Sequence, residues 1–171
     1  MGAPVLVREA TPADASEIGR VHAEAWRAAY QDLFEGDLFR VLVERRRTGW
    51  PARLANLRGD TVLVALRTDR VVAFARHGTH PDNPHDGELR ALYTHPGSWG
   101  SGVAQTLLDG VWEGSAGYRR LRLWTLTGAN RARRFYTSAG FVETGLIRER
   151  DYGDGRPVLE VEYARRPPNP S

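Results

Sequence analysis

Residues 88–141 constrain this chain more than any other stretch, because they read as strand, glycine turn, helix, strand and short helix in unbroken succession. The turn is Trp99-Gly100-Ser101-Gly102-Val103-Ala104. Glycine lacks a Cβ, so a ligand can approach the backbone closely there. Val103, Leu107, Leu108 and Val111 then repeat at helical spacing. A glycine turn that opens a helix offers free N–H groups and the positive end of the helix dipole, which together suit a phosphate. The step from strand through helix to strand is a crossover and implies a parallel pair. The third spaced glycine of the dinucleotide fingerprint is missing, and no Gly-Lys-Ser/Thr follows, so this is neither a Rossmann nor a Walker loop. On the turn alone, a purely structural strand-to-helix connection stays open.

The rest of the chain supplies the other parts of one α/β domain. Residues 4–8 read as a first strand, and Thr11-Pro12 starts a helix with Asp14 in its first turn. Ile18, Val21, His22, Ala25, Trp26 and Ala29 share one helical face. A second helical region covers 37–57, with a break near Gly49-Trp50-Pro51. Residues 61–66 and 71–75 are strands around the turn Thr68-Asp69-Arg70. The polar stretch 77–87, with His77, His80, Asp82, His85 and Asp86, reads as a loop, and 87–94 as the fourth strand. Strand 121–126 and helix 130–138 follow, ending at Ala139-Gly140. Residues 141–147 and 158–163 form a closing antiparallel pair, with Asp154-Gly155 as the hairpin signal. The expected domain is 1–164, followed by a flexible tail at 165–171.

Composition narrows the function classes. A length of 171 residues, 41% hydrophobic and 26% charged, suits a single globular core. The chain has no cysteine, which removes thiolate catalysis, disulfides and cysteine-ligated metals. Net charge is +3 and the isoelectric point about 9.7. The arginine clusters are spread along the chain rather than gathered on one face, so nucleic acid is not an expected partner. No apolar run approaches bilayer length and no secretion signal is present, so a cytoplasmic protein is expected.

Two runs carry a resemblance. The first is Glu88-Leu89-Arg90-Ala91-Leu92-Tyr93-Thr94-His95-Pro96 with Trp99 through Leu108; the second is Asn130-Arg131-Ala132-Arg133-Arg134-Phe135-Tyr136-Thr137-Ser138-Ala139-Gly140-Phe141. In order and spacing they resemble the acetyl-CoA-binding core of the GNAT superfamily of N-acetyltransferases. The early run His22 to Trp26 and Tyr30 is similar to the first helix of many small members. The resemblance implies a mostly antiparallel sheet of six to seven strands with a parallel strand 4/strand 5 pair, flanked by about four helices. It also implies acetyl-CoA as cofactor and a small-molecule or peptide amine as acceptor; many relatives form homodimers. A non-catalytic acyl-CoA sensor of the same fold is the alternative. One position departs from the pattern: Trp99 stands where the family's phosphate loop usually carries Arg or Gln.

The resemblance also assigns residues. Leu92, Tyr93 and Thr94 would serve the pantetheine arm, Trp99, Gly100, Ser101, Gly102, Val103 and Ala104 the pyrophosphate, and Asn130 the arm again. Arg133 or Arg134 would meet the 3′-phosphate, or simply solvate the helix. Glu88 matches the general base, with a strand-edge ion pair to Arg90 or Arg76 as its other reading. Tyr136 matches the acid that protonates the leaving thiolate, with core packing as its other reading. Trp26, Tyr30, Trp50 and His77 are candidates for the acceptor side. A metal site among the histidines is not expected.

Overall fold

The structure, a computed structural model, describes residues 2–34 and 36–168. Seven strands form one sheet in the order β1-β2-β3-β4-β5-β7-β6. They are β1 Leu6–Glu9, β2 Thr61–Arg67, β3 Arg70–His80, β4 Asn83–Thr94, β5 Leu121–Leu126, β6 Val142–Arg150 and β7 Val158–Arg165. The helices are α1 Ala15–Tyr30, α2 Gly36–Thr48, α3 Trp50–Ala55, α4 Val103–Glu113 and α5 Asn130–Ser138. Neighbouring strands are antiparallel throughout except β4 and β5, which are parallel, as the crossover through α4 requires.

Both faces of the sheet are covered because the central strands are apolar on both. Leu63 and Ala65 of β2 pack with Leu107, Leu108 and Val111 of α4 and with Tyr136 of α5. Val62 and Val64, one residue out of phase, pack on the opposite face with Ile18 and Val21 of α1 and with Trp50 and Phe74. A third cluster joins Trp26, Tyr30 and Phe34 to Leu42, Val43, Leu126 and Ala129, and so ties α1 and α2 to the end of β5. Ahead of α1, Asp14 accepts from the Thr11 N–H at 2.7 Å and pairs with Arg8 at 2.8 Å, which fixes the entry from β1. At Thr68 and Asp69 the φ values of 51° and 59° give the β2–β3 hairpin its tight left-handed turn.

Several expectations need correction. The stretch 77–87 is not a loop: β3 runs to His80 and β4 begins at Asn83, with Thr79 opposite Gly87. The segment reads as polar because its side chains are paired with residues distant in sequence. Asp86 is buried and holds Arg120 at 2.9 Å and Arg122 at 3.1 Å, while the Asp60 carboxylate holds Arg76 and Arg90. The region 37–57 breaks at Gly49 into two helices, where the sequence places the break, which brings the count to five. Asp154-Gly155 falls inside the β6–β7 connection, a seven-residue loop at 151–157. There the Asp151 carboxylate accepts from the N–H groups of Gly153, Asp154 and Gly155. The last strand extends through Arg165, so ordered sheet reaches into the expected tail; residues 169–171 lie outside the described residues.

Gly19 is where α1 and α2 approach most tightly, since a Cβ there would collide with the carbonyl oxygen of Arg47. The overlap is with backbone, which cannot swing aside. Gly19→Ala is expected to destabilise the fold by about 1–3 kcal/mol, read as a lower midpoint in chemical denaturation. An unchanged midpoint would mean the two helices slide freely.

Candidate functional site

The site begins where β4 and β5 part. They pair only at Gly87 with Leu121 and at Glu88 with Arg122. Immediately afterwards β4 carries a bulge at Arg90, seen as a register shift between Leu89 opposite His77 and Ala91 opposite Arg76. From Leu89 to Thr94 the β5 side of β4 therefore has no strand partner. The gap opens into a cleft of about 700 Å³ running from β4 along the start of α4 to α5.

Most residues assigned from the sequence line this cleft: Leu92, Tyr93, Thr94, Trp99, Gly100, Gly102, Val103, Ala104, Asn130, Arg134 and Tyr136. Gly100 and Gly102 have φ of 72° and 83°, and a Cβ on either would meet nothing within 4 Å. Their conformation, not crowding, demands glycine. Gly102 caps α4, whose first N–H groups have no partner within the helix and face the cleft. His95 organises the approach, its Nδ1 accepting from the Gly97 N–H at 3.1 Å. Ser101 turns its hydroxyl back to the Ser98 carbonyl at 2.6 Å and does not line the cleft.

Trp99 has a defined job in this turn. Its indole N–H donates to the Thr94 carbonyl at 2.9 Å, which staples the turn to the end of β4. The Arg131 guanidinium lies 4.2 Å from the ring centroid, and Arg131 itself lines the cleft. A cation thus reaches the turn from α5 where the usual loop cation is missing.

A second, smaller cavity of about 60 Å³ adjoins the cleft on the β5 side. Tyr136, Tyr30, Leu92, Tyr93 and Ala132 line both, and Trp26, Arg90, Trp124, Tyr152 and Glu160 line the small one alone. Tyr136 is buried, and burial with the neighbouring Tyr93 raises its phenol well above the ordinary range, so it stays protonated. Among the described residues its hydroxyl has no hydrogen-bond partner. Glu160 on β7 accepts from Arg148 at 2.6 Å and from the Tyr152 hydroxyl at 3.3 Å. The Tyr93 hydroxyl accepts from the Trp26 indole at 3.1 Å.

Other sequence candidates lie elsewhere. Glu88 sits before the divergence, paired with Arg90 at 3.0 Å, and lines neither cavity. Arg133 turns away from the cleft to Glu143 at 2.6 Å, the Thr127 carbonyl at 2.8 Å and the Tyr163 hydroxyl at 3.1 Å. Trp50 is core, its indole donating to His22 at 3.1 Å. His77 is buried near the C-terminal end of α4. Glu160, Tyr152 and Trp124 were not singled out from the sequence. Glu160 and Glu162 alternate with Leu159, Val161 and Tyr163 along the strand, and nothing local marks those carboxylates as buried.

The family model described as "Acetyltransferase (GNAT) domain" matches residues 58–143. An uncharacterized N-acetyltransferase of Mycobacterium tuberculosis is 36% identical over 88 residues, 49% of this chain and 54% of the relative. The match therefore spans about half the length of that relative. Among solved structures, the fold is similar to a GCN5-related N-acetyltransferase of Rhodopseudomonas palustris, with TM-score 0.74, 18% identity and coverage of 97% and 98% of the two chains. The PaiA N-acetyltransferase of Thermoplasma acidophilum, in complex with coenzyme A, aligns with TM-score 0.72, 16% identity and coverage of 95% and 99%. YncA of Salmonella typhimurium, a putative acetyltransferase with its cofactor acetyl-CoA, aligns with TM-score 0.68, 20% identity and coverage of 98% and 96%. The matched segment holds the diverging strands, the glycine turn and the helix bearing Tyr136, and on that match the chain belongs to the GNAT acetyltransferase family.

Proposed function

We propose that this protein transfers an acetyl group from acetyl-CoA to an amine of a small molecule, an amino acid or a protein N-terminus, by direct attack on the thioester. One observation carries the reading. The unpartnered, protonated hydroxyl of Tyr136 stands at the junction of the long cleft and the small cavity. The residues fit the cofactor. The unpaired edge of β4 suits an amide chain laid beside it as an added strand, and the free N–H groups at Gly102 to Ala104 suit a pyrophosphate. Arg131 and Arg134 add positive charge along the cleft. Two relatives of this fold are named with coenzyme A or acetyl-CoA. The reading extends to a cytoplasmic setting, where acetyl-CoA is available.

Bound acetyl-CoA supplies the electrophilic carbonyl and a thiolate leaving group. The chain's part is positioning and proton traffic. The acceptor ammonium would first lose one proton; the neutral amine then forms the C–N bond as the C–S bond breaks, its nitrogen sheds a second proton, and Tyr136 gives its proton to the departing sulfur and is reprotonated through water. Glu160 is the carboxylate that lines the acceptor-side cavity, so the proposal assigns it the amine's proton, through water. Glu88 reaches that cavity only by way of its partner Arg90, and it is the second candidate.

The primary test is thiol release from acetyl-CoA across an amine panel. A thermal shift with acetyl-CoA but no thiol release with any amine would mark a sensor instead. Gly102→Glu places a side chain at positive φ and a negative charge on the helix N-terminus, so the Kd for coenzyme A should rise at least ~100-fold. Folding stability should fall by only about 1 kcal/mol, and calorimetric titration checks the affinity. Tyr136→Phe should lower kcat about 10- to 100-fold while the Kd for coenzyme A stays within a factor of about two; equal kcat would leave the ring as packing. Glu160→Gln should lower kcat about 100-fold and Glu88→Gln much less. The reverse order would return the base to Glu88.

A further inference from the structure

Resting on the acetyltransferase reading, we propose that the acceptor carries a carboxylate beside its amine, and that Arg46, with Arg53 behind it, forms the subsite for that anion. Arg76, Arg122 and Arg148 meet the carboxylates of Asp60, Asp86 and Glu160, whereas Arg67 keeps a buried Nε without a partner and Arg165 lies over Trp112 and donates to the Ala139 carbonyl. Arg46 finds none among the described residues. Its guanidinium lies flat on Trp26, 3.3 Å from the ring centroid, and donates only to the Leu42 carbonyl of its own helix at 2.9 Å. Its Nε is buried with no hydrogen-bond partner. Burial pushes the Arg46 pKa down to about 10, which still leaves it cationic at neutral pH. Arg53 on α3 repeats the pattern: one terminal nitrogen is buried without a partner, and its guanidinium lies 5.4 Å from the Trp50 ring centroid.

Arg46 and Arg53 both disfavour protonation of the buried His22, and Arg53 opposes the charge of Arg46. His22 in turn packs on Tyr93 at a ring separation of 4.8 Å. Trp26, on which Arg46 lies, is a wall of the small cavity together with Tyr93 and Tyr152, while Arg46 and Arg53 stand behind that wall and do not line it. Arg150 lies over the Tyr152 ring at 4.8 Å and is itself paired with Glu160 at 3.7 Å. A desolvated guanidinium with an unused donor is costly unless an anion completes it, and a carboxylate is the planar acceptor that matches its fork. Glu160 stands among the same cavity walls, so this side of the molecule offers a negative group for an ammonium and positive groups for a carboxylate. The cavity has room for only a few heavy atoms, which suits the head of an amino acid.

The test compares methionine, phenylalanine and glutamate with their α-methyl esters at saturating acetyl-CoA, by thiol release and by calorimetric titration onto the coenzyme A-saturated protein. The free acids should exceed their esters in kcat/KM or affinity by about 30-fold. In Arg46→Leu, and in the better-tolerated Arg46→Gln, that ratio should collapse towards one, with retained coenzyme A affinity showing that the protein is folded. Acids and esters handled alike by the native protein, or a ratio unchanged in both variants, overturns the proposal. Thiol release with neutral amines in that case leaves the acetyltransferase reading intact. Acid-selective binding without thiol release from any amine has the opposite meaning: the anion subsite stands and the acetyltransferase reading fails.

Discussion

The early separation of β4 from β5 is the constraint on which the rest of this structure depends. Two parallel residue pairs hold the strands together, and the Arg90 bulge then turns β4 away. An interior strand edge left open in this way exposes N–H and C=O groups whose burial without partners costs about 1–3 kcal/mol each. The fold keeps the edge wet and accessible by building a cleft along it. Everything that matters for binding is arranged along that cleft: the glycine turn beyond β4, the start of α4, and α5 with Tyr136.

The divergence needs a firm base, and buried charge provides it. Asp86, at the closed end of the pair, holds Arg120 and Arg122 from the β5 side, and Asp60 ties Arg76 of β3 to Arg90 of β4. Such networks add rigidity and specificity more than net stability, because desolvation offsets much of the Coulomb attraction. Here they clamp the strands below the gap, so the opening above it has a fixed shape. Near Trp26 and Trp50 the balance differs: Arg46 and Arg53 each keep a buried nitrogen without a partner, and no carboxylate among the described residues pairs with either.

How much was legible in the sequence follows the range of the interactions. The glycine turn, α4 and α5 depend on neighbours within a few residues, and their signals are local: glycines at positive φ, apolar residues at helical spacing, Ala139-Gly140 at a helix end. β5 and α5 fall where the pattern places them. The stretch 77–87 reads as a loop because its polar residues His77, His80 and Asp86 are buried by the sheet itself, with Asp86 paired to Arg120 and Arg122 far along the chain. Glu160 was passed over for the same reason: its burial is created by Arg148 and Tyr152 across the β6–β7 loop. The family match, 58–143, stops short of β7, so Tyr152 and Glu160 of the small cavity came from coordinates rather than resemblance.

By itself, the sequence determined the phosphate-suited turn and the crossover that makes β4 and β5 parallel, because both rest on short-range backbone geometry and residue spacing; Tyr136 as a candidate acid was what the family resemblance of residues 130–141 implied. Only the tertiary structure decided which arginine faces the cleft, Arg134 and Arg131 rather than Arg133. It alone put Glu160 on the small cavity and Glu88 in an ion pair outside it, and left Arg46 without an anion among the described residues. Those outcomes depend on which charges meet across the sheet. Pairing over such distances is fixed by packing, and one-dimensional spacing carries no record of it.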